Sequence, residues 1–141
     1  MKRFVFPALV VLPLTLSAAT QTSVKTFAWS MPATTLDGSP VYVAGDLNIA
    51  PGAPIIGGTR IYCGGALVLD VLAPAITAPF PANMNSYAPD GSYTSCVAAV
   101  YEKGTNVEGL RSVPVTIANI AGKFLPGSTL AAPGSFALSL Q

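Results

Sequence analysis

The sequence predicts an all-β chain folded as an antiparallel β-sandwich of about seven short strands. Three observations point there. No window carries the apolar periodicity of an amphipathic helix. The apolar segments are rich in Val, Ile, Thr, Tyr and Phe, the residues that fit a pleated surface. Turn signals built on 13 Gly and 13 Pro leave few long stretches of the 141 residues unbroken. Nothing in the pattern asks for barrel closure, and no internal repeat is visible.

Val24–Ser30 alternates and stops at Met31-Pro32. Asp37-Gly38-Ser39-Pro40 is a turn, because Gly tolerates positive φ and Pro presets its own. Val41–Val43 is a short strand, and the Gly- and Pro-studded stretch 44–58 reads mostly as loop. Thr59–Cys63 and Ala66–Leu72 are strands either side of Gly64-Gly65, and Pro74, Pro79 and Pro81 break the segment after them. After the turn Ala88–Gly91, the segment Ser92–Tyr101 is the strongest strand of the chain. Lys103–Asn106 turns it, and Gly109–Ile117 returns; Pro114 cannot donate to a ladder, which asks for an edge or a bulge there.

The first residues have another purpose. Met1-Lys2-Arg3, the apolar run Phe4–Leu14 and the small residues Ser17-Ala18-Ala19 match the order of a secretory signal cut after Ala19. The run is interrupted by Pro7 and Pro13 and is short for a membrane span. The chain therefore divides into a signal peptide (1–19), a sandwich (20–118) and a Gly/Pro-rich tail (119–141), with a secreted, extracellular or periplasmic destination and no membrane attachment after cleavage. Without residues 1–19, five cations face six anions, a net charge of −1. That balance argues against nucleic acid and against a polybasic membrane patch. Charged residues make up 9% of the chain, against roughly 25% in an average soluble protein, and there is no histidine. The missing imidazole removes Ser-His-Asp and Cys-His catalysis, HExxH metalloproteases, facial-triad iron and Cys2His2 zinc. No catalytic residue, metal ligand or cofactor is expected.

Phe27-Ala28-Trp29-Ser30-Met31-Pro32 followed by Asp37-Gly38-Ser39-Pro40 resembles the second strand and following loop of bacterial fibronectin type III domains. Thr59–Gly64 is similar to that family's third strand, and Tyr93-x-x-x-Val97-x-Ala99-Val100 with Gly104 and Ser112 to its sixth strand, tight turn and seventh. The likeness covers roughly 24–118. It implies an immunoglobulin-like sandwich with Tyr93 in the core, its hydroxyl tied to backbone, and no catalytic residues. Three features depart from the pattern: little chain precedes Val24 for a first strand, 41–58 looks inserted, and 119–141 lies beyond the domain. In this topology the loops 31–40 and 103–109 meet at one end of the sandwich, where family members often bind partners. Asp37, Gly38, Lys103, Asn106 and Val107 are the candidate contact residues.

Cys63 and Cys96 are the two cysteines, and an oxidising compartment favours a bridge between them. In the sandwich they fall on the neighbouring third and sixth strands. One conflict stands against pairing: if Ile61 and Val97 both face the core, Cys63 shares that face and Cys96 does not. Free buried thiols are the alternative.

Other residues read more plainly. Asp37, Asp46 and Asp90 sit in turns without the spacing of a calcium loop. Asp70, Glu102 and Glu108 read as solvated acids rather than a glycosidase pair. Trp29 belongs to a core pattern rather than to a sugar-stacking platform. Phe136, Leu138 and Leu140 alternate with small or polar residues, as in a strand. That strand either folds back over its own sandwich, in place of the missing first strand, or is given to a neighbour by β-augmentation. The function these features indicate is a secreted, non-catalytic binding or structural module with a protein or carbohydrate partner. The alternative is a subunit of an extracellular assembly, self-associating through strands or low-charge faces.

Overall fold

The computed structural model describes residues 22–35, 37–127 and 136–141. The signal peptide expected at 1–19 lies outside them. In chain order the strands are β1 (Thr26–Trp29), β2 (Tyr42–Val43), β3 (Ile55–Cys63), β4 (Ala66–Leu72), β5 (Thr77–Pro79), β6 (Tyr93–Glu102), β7 (Glu108–Arg111), β8 (Val115–Ile120), β9 (Lys123–Pro126) and β10 (Leu138–Leu140). A single helical turn, α1 (Met84–Tyr87), stands between β5 and β6. The described residues are thus all-β apart from that turn.

Two sheets enclose one core. The smaller has the order β10-β1-β5, both pairs antiparallel. The larger is built on β3 and β6, paired antiparallel from Ile56↔Glu102 to Cys63↔Cys96. Beyond β3 lie β4 and, end to end with it, β2; beyond β6 lie β7 and β8 end to end, then β9. The β2–β3 pair is parallel, so the larger sheet is mixed rather than wholly antiparallel. Phe27, Trp29 and Leu138 from the smaller sheet pack against Ile61, Cys63, Cys96, Ala98 and Ile117 from the larger. Along one flank Phe80 bridges the sheets, 4.5 Å from the Phe27 ring centroid and 5.5 Å from that of Phe124 on β9. The Val24 N–H donates to the Phe124 carbonyl at 2.8 Å on the same flank.

Several expectations need correction. Most of 44–58 is loop as expected, but the strand placed at Thr59 already begins at Ile55. Segment 119–126 is no tail: β8 runs on to Ile120, and β9 pairs with it from Ile117↔Pro126 to Ile120↔Lys123. The returning strand expected over Gly109–Ile117 is instead two strands, β7 and β8, parted around Pro114 along one side of β6. Val97 is not a core residue. Cys96 and Ala98 face inward at 0% exposure, while Val97 points to the other face. This removes the phase conflict, and Cys63 and Cys96 stand directly opposite each other and form a disulfide. Tyr93 is 74% exposed and anchors nothing in the core. The buried polar anchor is Asn119, whose Nδ2 donates to the Ala88 carbonyl at 2.7 Å and to Asn85 Oδ1 at 3.1 Å. Its backbone also pairs with Gly91 and Ser92, which ties the segment 85–92 to β8.

β10 pairs with β1 of its own chain, Phe27↔Leu140 to Trp29↔Leu138, at one edge of the smaller sheet. Leu138 is buried to 3%.

Candidate binding groove

At the end of the larger sheet where β6 finishes, the loop after β1, the start of β3 and the β6–β7 turn surround a groove of about 500 Å³. Its lining is mostly apolar, with Pro32, Val41, Pro54, Ile55, Ile56, Val100, Val107 and Leu110, and also carries Thr35, Asp37, Tyr101, Glu102 and Gly109. That volume is within the range of pockets that hold ligands.

Both loops are held by their own hydrogen bonds. The first closes on itself through Val41 N–H to the Ala33 carbonyl (3.0 Å) and Thr35 N–H to the Ser39 carbonyl (2.9 Å). The Asp37 carboxylate caps this turn, accepting from the Ser39 N–H at 2.9 Å and from the Thr35 hydroxyl. Those donors, Thr35 foremost, lower the Asp37 pKa to about 2, so this carboxylate is ionised throughout the neutral range. Gly38 takes φ +86° in the same turn, a conformation that side chains resist. Across the groove, Lys103 N–H donates to the Ile55 carbonyl (2.8 Å) and Glu102 N–H to that of Val107 (2.9 Å). The Thr105 hydroxyl donates to Glu102 Oε2 at 2.7 Å. Asn106 adopts φ +57°, and its carbonyl accepts from Arg60 Nη1 at 3.4 Å.

Of the five residues singled out from the sequence, Asp37 and Val107 line the groove. Gly38, Lys103 and Asn106 sit in the flanking turns, where Gly38 and Asn106 supply backbone conformation. The sequence reading missed Ile55, Ile56 and Leu110. A pair of isoleucines inside a Gly/Pro stretch is a visible signal, but composition masked it.

A second polar constellation covers the outer face of the larger sheet. Register places Asp70, Arg60, Ala99 and Arg111 in one row across β4, β3, β6 and β7. Arg60 meets Asp70 at 3.2 Å and Glu108 at 3.3 Å, and Arg111 meets Glu108 at 3.2 Å. The Tyr62 hydroxyl donates to Glu108 as well. That hydroxyl, then the two guanidiniums, hold the Glu108 carboxyl below its ordinary range, and the same bond raises Tyr62. Arg60 also lies 4.3 Å over the Tyr101 ring, which rests on Gly58, where a Cβ would stand 2.2 Å from the Tyr101 hydroxyl. Asp70 and Glu108 are therefore partners of arginine rather than freely solvated acids. Ala99, though on this outer face, is buried to 0% under these long side chains.

Trp29 is 4% exposed and offers no face for stacking. Among the described residues no group of three or more His, Cys, Asp or Glu is close enough to hold a metal ion, and no helix is long and apolar enough to cross a membrane. Comparison with protein-family models, curated proteins and solved structures finds no match to this chain.

Proposed function

We propose that this protein is a non-catalytic binding or structural module, acting outside the cytoplasm, that meets a protein partner through the end groove. The observation that carries the reading is the groove's construction. Two self-braced loops converge on a mostly apolar lining that carries a few polar groups, the composition of a recognition site. The fibronectin type III-like assignment belongs to the same proposal. With β10 counted in place of the first strand, β1, β3, β4, β5 and β6 fall into the second to sixth positions, and β7 with β8 into the seventh. The third and sixth are then neighbours, as β3 and β6 are. The test is a pair of baits, wild type and Leu110→Asp, presented to the extracellular fraction of the source cells. A partner retained by wild type and lost by the variant supports the groove; equal retention of every partner by both baits removes it.

A second reading, a subunit of an extracellular assembly, is favoured by apolar side chains left in water. Leu72 is 73% exposed and Leu67 48% on the edge strand β4, and Ile120 is 50% exposed at the β8–β9 turn. Size-exclusion chromatography at rising concentration separates the two, since a stable monomer at every concentration removes assembly.

A further inference from the structure

We infer that the occupant of the groove is the β8–β9 hairpin tip of a second copy, so that copies associate head to tail. The inference rests on the groove being a contact site and supplies its partner from the two ends of one molecule.

The groove asks for an apolar group beside a cation. Its lining is mostly apolar, Asp37 and Glu102 are its acidic residues, Tyr101 and Thr35 add hydroxyls, and no Lys or Arg lines it. Asp70 and Glu108 each have an arginine partner. Asp37 and Glu102 instead bond only to hydroxyl or backbone donors, and neither enters an ion pair among the described residues. Neither carboxylate is held by an ion pair beside this mostly apolar surface, and Lys103 in the flanking turn bonds through its backbone only.

The opposite end of the molecule presents the complement. Ile120 and Lys123 are cross-strand partners flanking the turn Ala121-Gly122, and all four residues are exposed. The turn is stiff: Ala121 and Gly122 take φ +53° and +74°, and the Gly122 N–H donates to Asp90 Oδ1 at 3.2 Å. Asp90, at the foot of the hairpin, is engaged by that bond. Lys25 joins Lys123 in lining the hollow beside it. A narrow convex element with an isoleucine beside an ammonium thus faces away from a concave, mostly apolar site that carries two carboxylates. Tip and groove lie beyond opposite ends of the ten-residue β6, about 30 Å apart at strand rise. A hairpin cannot reach the groove of its own chain, so the contact is intermolecular. Because the two surfaces differ, the contact is heterologous and propagates into a ring or filament.

Charge exchange tests this on the full chain by sedimentation from about 10 µM to about 1 mM. Wild type is expected to form dimers and longer species, weakening as salt screens these charges. Glu102→Lys and Lys123→Glu, both on exposed side chains, each weaken association about fivefold to tenfold. Mixing the two single variants, or combining both changes in one chain, restores it, which a folding defect cannot mimic. Ile120→Asp abolishes association in every background. A wild type that stays monomeric throughout overturns the proposal, and so does association indifferent to both charge reversals or not restored by their exchange. The groove reading fails separately: if the chain is monomeric yet Leu110→Asp loses a captured partner, the groove stands and only its self-occupancy falls.

Discussion

Replacing Cys63 and Cys96 together by Ala should cost this fold a large share of its stability. The bridge joins residues 33 apart in sequence and encloses all of β4, β5 and α1. The chain-entropy treatment for a loop of that length gives about 3.7 kcal/mol at room temperature. A domain of this size holds about 5–15 kcal/mol in all. The two sulfurs lie in the core, at residue exposures of 1% and 0%, so their removal also takes packing from Ile61 and Ala98. With a urea slope of about 1.5 kcal/mol per molar, the midpoint should fall by about 2.5 M. The melting temperature should fall by about 15 °C or more. Urea titration of oxidised wild type against Cys63→Ala/Cys96→Ala, followed by tryptophan fluorescence from the buried Trp29, measures it. A midpoint shift below about 0.5 M would mean that the unfolded chain gains little freedom when the bridge is lost, and the entropic reasoning would be refuted.

Three further expectations rest on the packing. Leu138→Ala should destabilise by about 2–5 kcal/mol in chemical denaturation, whereas Ser139→Ala, which loses only the hydroxyl bond to the Ala28 carbonyl, should cost about 1 kcal/mol or less; equal effects would mean that β10 is not part of the core. Asn119→Ala leaves the Ala88 carbonyl without its buried donor and should cost about 1–3 kcal/mol, with faster hydrogen exchange confined to 85–92. Glu108, whose carboxyl is held below its ordinary value, contributes stability that is complete above the unfolded carboxylate range and is lost as pH falls through the folded value. Wild type should therefore lose its stability advantage over Glu108→Gln as pH falls from neutral to below the ordinary carboxylate range, and an advantage unchanged by acid would contradict the Tyr62–Glu108–Arg60 network.

Much of this architecture is written in local chemistry. β6 is visible because ten residues run between two glycine turns without a breaker, and β3 and β4 because Gly64-Gly65 can adopt the positive φ values, +59° and +83°, that their hairpin needs. The missed elements are short and sit among prolines. β5 contains Pro79 and is recognisable as a strand only once β1 lies beside it. β9 is four residues whose turn uses Ala121 at positive φ, where composition would have asked for Gly or Asn. The groove was half legible. Its two loops come from turn residues and from the expected strand order, but Ile55 and Ile56 sit where β2 meets β3 in a parallel pair that no local pattern announces.

The β class, the position of most strand ends and the burial of Trp29 are properties of the linear chain, because periodicity and turn chemistry act between residues close in sequence. The face each residue serves, and the distant segments that meet, are properties of the folded molecule. Alternation along β6 is compatible with either Val97 or Cys96 inward, and the choice falls to pairing with β3 and the bridge to Cys63. In the same way Tyr93 lies outside, Asn119 holds the buried polar anchor, and Leu138 closes the core of a strand more than a hundred residues earlier. Those outcomes depend on competition among long-range partners for one limited interior, and no local run of residues records how that competition ends.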